Sequence, residues 1–126
     1  MNKDVLKLVE IANGMGLRIE FKDLPGKKLG QCIYEDKVIF VKKDESARQQ
    51  LIILAHEMGH YHSYLDNERG TNISRNEREK LAYSYGFRFL VNTRLSKKYN
   101  ITPEEWWDIN FPNFTNIAPD VNEAWT

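Results

Sequence analysis

Apolar positions recur along the chain in two rhythms, and each change of rhythm marks an element. From Asp4 to Asn13 the residues Val5, Leu6, Leu8, Val9 and Ala12 gather near one helical face, and Asn13-Gly14 supplies a stop signal. Leu17-Arg18-Ile19-Glu20-Phe21 then alternates apolar with charged, the pattern of a half-buried strand. Leu24-Pro25-Gly26-Lys27-Lys28 breaks that strand. Two short strands follow, Leu29 to Tyr34 and Lys37 to Val41, and the tight Glu35-Asp36 connection predicts a hairpin.

The rhythm returns to helical after Asp44-Glu45-Ser46. Asp44 or Ser46 can cap the new helix, and Gln49 stands three after Ser46 in capping-box spacing. Its apolar run Leu51-Ile52-Ile53-Leu54-Ala55 predicts burial, and the helix is expected to reach about Tyr64. Asp66 to Ile73 is polar, contains Gly70, and reads as a surface loop. A long helix is expected over Arg75 to Leu95 with Ser74 as its cap, carrying Leu81, Ala82, Tyr85, Phe89 and Leu90 at helical spacing. Gly86 inside it costs about 1 kcal/mol against alanine, which makes sense if Ala82 and Gly86 let the preceding helix come close. Thr102-Pro103-Glu104-Glu105 opens a short helix to about Ile109, and residues 111–126 read as an irregular tail.

The expected fold is therefore α+β. A helix leads into a three-stranded antiparallel or mixed sheet, followed by a buried helix, a second long helix and a short C-terminal helix, all in one domain over 1–126.

Composition narrows the function classes. Equal numbers of acidic and basic residues leave a formal charge of zero, so no bulk electrostatic footprint for nucleic acid or an anionic membrane is present. Cys32 is the single cysteine and cannot form an intrachain disulfide, which favours a reducing cytoplasm. It lies in an expected strand and reads as a small packing residue rather than a metal ligand. No long apolar segment follows Met1-Asn2-Lys3-Asp4, so neither a signal peptide nor a membrane span is expected.

The candidate chemistry lies in His56-Glu57-Met58-Gly59-His60, a His-Glu-x-x-His pattern on the buried helix. Residues four apart share a helical face, so His56 and His60 can grip one Zn²⁺ through neutral imidazole nitrogens. Glu57 stands beside them, placed to take a proton from the attacking water in metal-assisted hydrolysis. Two surface histidines and a glutamate would be the bland explanation, but a buried helix does not carry such groups without partners.

A catalytic zinc usually takes three protein ligands. The metzincin extension fails here, because Ser63 and Asp66 stand where its glycine and last histidine would fall. His62 is turned away on the helix and reads as a surface or cap residue. The acidic candidates are Asp66, Glu68, Glu77 and Glu79. Glu77 shares a wetter face with Ser84 and Arg88 and is explained by a capping box with Ser74. Glu79 shares its face with Ala82, Tyr83, Gly86 and Leu90, where a carboxylate needs a compensating cation, and it is the chosen third ligand.

With Leu54-Ala55-His56-Glu57-Met58-Gly59-His60 followed by Glu79-Lys80-Leu81-Ala82, the chain resembles the ImmA/IrrE family of small zincin-like metallopeptidases of bacteria, phages and mobile elements. The resemblance covers most of positions 1 to about 95 and places the family's ligands at His56, His60 and Glu79 and its catalytic glutamate at Glu57. It implies a zinc endopeptidase that cuts a helix-turn-helix transcriptional repressor and so derepresses phage, mobile-element or stress genes. The chain departs from the family in Tyr85-Gly86, where Phe-Ala is common, and in Leu90-Val91-Asn92, which lacks the usual proline. The alternative is a non-proteolytic binding module that sequesters a repressor or acts in a toxin–antitoxin pair, with Trp106, Trp107 and Trp125 as anchors. Against it, Trp106 and Trp107 are also suited to pinning the last helix to the core.

Overall fold

The computed structural model describes residues 1–65 and 75–110. The element order is α1 (Lys3–Gly14), β1 (Arg18–Lys22), β2 (Gly30–Ile33), β3 (Val38–Lys42), α2 (Ala47–Ser63), α3 (Arg75–Asn92), α4 (Leu95–Lys98) and α5 (Pro103–Asn110). This is the α+β arrangement that the sequence predicts. The polar stretch expected over Asp66 to Ile73, the Ser74 cap, the ligand candidates Asp66 and Glu68, and the tail at 111–126 all lie outside the described residues.

The sheet is mixed, in the order β1-β3-β2. β2 and β3 form the antiparallel hairpin, Cys32 facing Ile39, while β1 runs parallel to β3 with Ile19 beside Ile39. β3 is central and reads Val-Ile-Phe-Val; Val38, Ile39 and Val41 are buried because helices cover the sheet beside them. β2 is the edge strand next to α2. Cys32 on it is half-buried and packs on the core, in keeping with a packing role.

Capping sets the helix starts. Asn2 accepts hydrogen bonds from the Asp4 and Val5 amides at the head of α1, and Ser46 accepts from the Gln49 amide at 3.1 Å at the head of α2. Thr102 accepts from the Glu105 amide at the head of α5. In α1 the buried stripe is Val5, Leu8 and Ala12; Leu6, expected near that face, points outward. The long helix ends sooner than its periodicity suggests. It stops at Asn92, Arg94 takes a left-handed conformation (φ 64°), and Leu95 opens the separate turn α4.

The centre of the molecule is α2, with residues 51–55 and Met58 buried on it. It packs on the sheet on one side and on α3 on the other. The α2–α3 crossing is close because two glycines meet there. A Cβ on Gly59 would strike the backbone of Ala82 and lie 2.6 Å from the Gly86 nitrogen, and one on Gly86 would lie 2.7 Å from the Ala55 oxygen. Gly86 therefore faces α2, as its cost predicts.

Candidate active site

The two helices bring three sequence-distant donors together. His56 and His60 stand one helical turn apart on α2, with Nε2 atoms 3.1 Å from each other and rings meeting edge to face at 4.6 Å. Glu79, in the first half of α3, reaches across the glycine crossing so that its Oε2 lies 3.4 Å from His60 Nε2. One donor atom from each residue lies within 4.8 Å of the other two. A tetrahedral zinc with bonds of about 2.0–2.2 Å has ligand–ligand edges of about 3.3–3.6 Å, so a His₂Glu donor set at these separations fits that metal.

Glu77, by contrast, is exposed on α3. His62 is not a free surface residue as expected. It is half-buried and stacks on Tyr85 at 4.3 Å, on the other side of α2 from the donors, because α3 covers that flank as well.

Burial dominates the electrostatics. Loss of solvent pushes the His56 pKa down to about 3, with the neighbouring His60 adding to the effect and Glu79 opposing it. His56 is thus held in the neutral, metal-ligating form. Glu57 is 8% exposed, and burial pushes its carboxyl up to about 7 in the metal-free protein. His60 and Lys28 pull the other way, and Glu79 adds to the rise.

An ordinary glutamate ionises near 4.5, so in the metal-free protein Glu57 works against folding as pH rises from about 4.5 to 7. Glu57→Gln is therefore expected to stabilise metal-free protein by up to about 3 kcal/mol at pH 8 and to have little effect at pH 4. Chemical denaturation of both proteins at the two pH values checks this.

A cleft of about 240 Å³ opens onto His56 and Glu57. Its walls include Leu29 and Gly30 from the sheet edge and Ile52 and Ile53 from α2, with Lys27 and Gln49 supplying polar groups. Gly30 is there because β2 runs close over α2. A Cβ would lie 2.6 Å from Ile53 Cγ2 and 3.3 Å from Glu57 Cγ. Neither Gly30 nor Gly59 is singled out by sequence reasoning, although a glycine inside a strand is itself a signal of close backbone approach.

Of the tyrosines near the motif, Tyr83 is buried and its hydroxyl donates to the Pro103 oxygen at 3.0 Å. Trp106 is fully buried and pins α5 to the core; the Trp107 and Trp125 side chains lie outside the described residues.

The mixed sheet, the buried two-histidine helix and the carboxylate-bearing helix that crosses it together form a candidate metal centre. The family model of the IrrE N-terminal-like domain, Peptidase M78, matches residues 12–105, and the chain belongs to that family. No curated protein and no solved structure matches it. Among the described residues, no helix is long and apolar enough to cross a membrane.

Proposed function

We propose that this protein is a zinc-dependent endopeptidase whose substrate is a helix-turn-helix transcriptional repressor, cut in the cytoplasm to derepress phage, mobile-element or stress genes. The observation that carries the peptidase reading is the convergence of His56, His60 and Glu79 beside a buried Glu57 at a cleft. The substrate class rests on the family resemblance.

In this reading His56, His60 and Glu79 hold the metal. Zinc, when bound, supplies Lewis acidity, polarising the scissile carbonyl and acidifying water. Two neutral imidazoles and one carboxylate leave the centre net positive, and imidazole-rich ligation favours zinc over manganese. The Glu57 carboxylate takes a proton from water as its oxygen bonds to the carbonyl carbon. It then delivers that proton to the amide nitrogen as the carbon–nitrogen bond breaks. Leu29, Ile52 and Ile53 supply the apolar part of the cleft wall beside this transfer, and the edge of β2 offers backbone groups to an extended peptide.

The binding-module alternative is weakened by the burial of Trp106 and by Glu57, whose burial has no use in a purely adhesive surface. Co-expression with the repressor encoded nearest the gene tests the substrate. Intact-mass analysis is expected to show two fragments with wild type and an intact repressor with Glu57→Gln; an intact repressor in both would refute this substrate. Separately, Glu79→Ala is expected to weaken zinc binding by more than the about 10–100-fold typical of a supporting residue, as measured by chelator competition. Wild-type affinity in that variant would remove Glu79 from the ligand set.

A further inference from the structure

An imidazole on a helix is free to turn about its outer torsion unless something holds it, because that torsion is broad and roughly two-fold. The edge of the His60 ring bounds His56 on one side. A second neighbour among the described residues is the indole of Trp106, whose ring centre lies 6.3 Å from that of His56 at an interplanar angle of 62°. Trp106 stands on α5, one residue past the end of the family match, and is wholly inaccessible to solvent.

The indole is itself fixed from several directions. Its Nε1 donates to the Tyr83 oxygen at 3.1 Å, while the Tyr83 hydroxyl donates back to the Pro103 oxygen on α5. Phe87 packs against the ring at 5.8 Å, and a Cβ on Gly86 would lie 3.0 Å from Cζ2, so glycine opens the slot in which the indole sits. Next to it, Glu105 pairs with Arg48 at 2.6 Å, and Arg48 also donates to the Tyr99 oxygen at 2.9 Å. The start of α5 is thereby fastened to the start of α2, two turns before His56.

We propose that Trp106 is a positioning residue for His56, so that metal affinity depends on the docking of α5 against α2 and α3. The proposal rests on His56 being a metal ligand. A ligand held in its binding orientation before the metal arrives loses less freedom on binding, and residues that orient ligands are typically worth about 10–100-fold in metal affinity.

The test is titration of full-length metal-free protein with Zn²⁺ and with Co²⁺, for wild type, Trp106→Phe, Trp106→Leu and Leu8→Ala. Leu8 is a buried residue of α1 and controls for general loss of stability. Trp106→Leu is expected to weaken both metals about tenfold or more and to alter the cobalt absorption bands. Trp106→Phe should lose about threefold, and Leu8→Ala should lower the melting temperature with affinity and spectrum unchanged. Wild-type affinity and spectrum in a folded Trp106→Leu would overturn the proposal. Should that variant not fold, Trp106→Phe decides, unchanged affinity overturning the proposal and a threefold loss supporting it. Failure of wild type to bind either metal would overturn the metal reading itself, a result visible before any variant is compared.

Discussion

Glu57→Gln is expected to bind zinc as wild type does and to lose about 10²–10⁴-fold in peptide cleavage. The substitution keeps size and neutral hydrogen-bonding capacity while removing the only function the carboxylate has in the proposed reaction, proton transfer. Glu57 is not one of the three converging donors, which are His56, His60 and Glu79, so the metal site should survive. Its buried position beside the donor His56, at the cleft, is where a general base for an attacking water has to stand. Zinc content and cleavage rate, measured on the same preparations, check the two halves. Cleavage at the wild-type rate would remove Glu57 from the reaction, and loss of zinc would make it part of the metal site instead.

The largest loss of stability is expected at Gly59. The atoms a methyl group there meets first are backbone, those of Ala82 and Gly86, which cannot swing aside as a flexible side chain would. Overpacking of this kind costs about 1–3 kcal/mol or more, against which alanine recovers about 1 kcal/mol of helix propensity. Gly59→Ala should therefore lose about 2 kcal/mol, a fall of roughly 6–12 °C in Tm. It should weaken zinc binding too, since separating α2 from α3 draws Glu79 away from His60. Gly14→Ala, at the end of α1 where nothing lies within 4 Å of the added methyl, is expected to stabilise by about 0.4–1 kcal/mol and to leave zinc affinity unchanged. An unperturbed melting curve for Gly59→Ala would show that the crossing has room that its geometry denies.

The difference between these two glycines shows where the sequence is legible. Local signals reported local structure well. Ser46 and Thr102 cap the helices they precede, the Glu35-Asp36 turn closes a hairpin, and His56 and His60 share a face by helical geometry alone. Glu79 could be singled out because its helical neighbours are small or apolar, and the structure does bring it to His60.

Information that depends on a second element is less visible. Parallel pairing of β1 with β3 leaves no mark in a five-residue strand, so antiparallel and mixed sheets stayed equally open. The helical wheel of α2 places His62 on the surface because it does not show that Tyr85 of α3 covers it. The break after Asn92 leaves no sequence signal, because Leu95 continues the apolar rhythm while Arg94, with no glycine beside it, adopts the left-handed turn. Trp106 is legible as a packing residue, but its neighbour His56 lies fifty positions earlier and only the fold joins them.

The central claim is that His56, His60 and Glu79 together bind a metal ion. X-ray diffraction from zinc-loaded crystals, collected on both sides of the zinc absorption edge, tests it without requiring a substrate. One anomalous peak per chain is expected, bonded to both imidazoles and to the Glu79 carboxylate. A peak held by other residues, or no peak in zinc-saturated crystals, would contradict it.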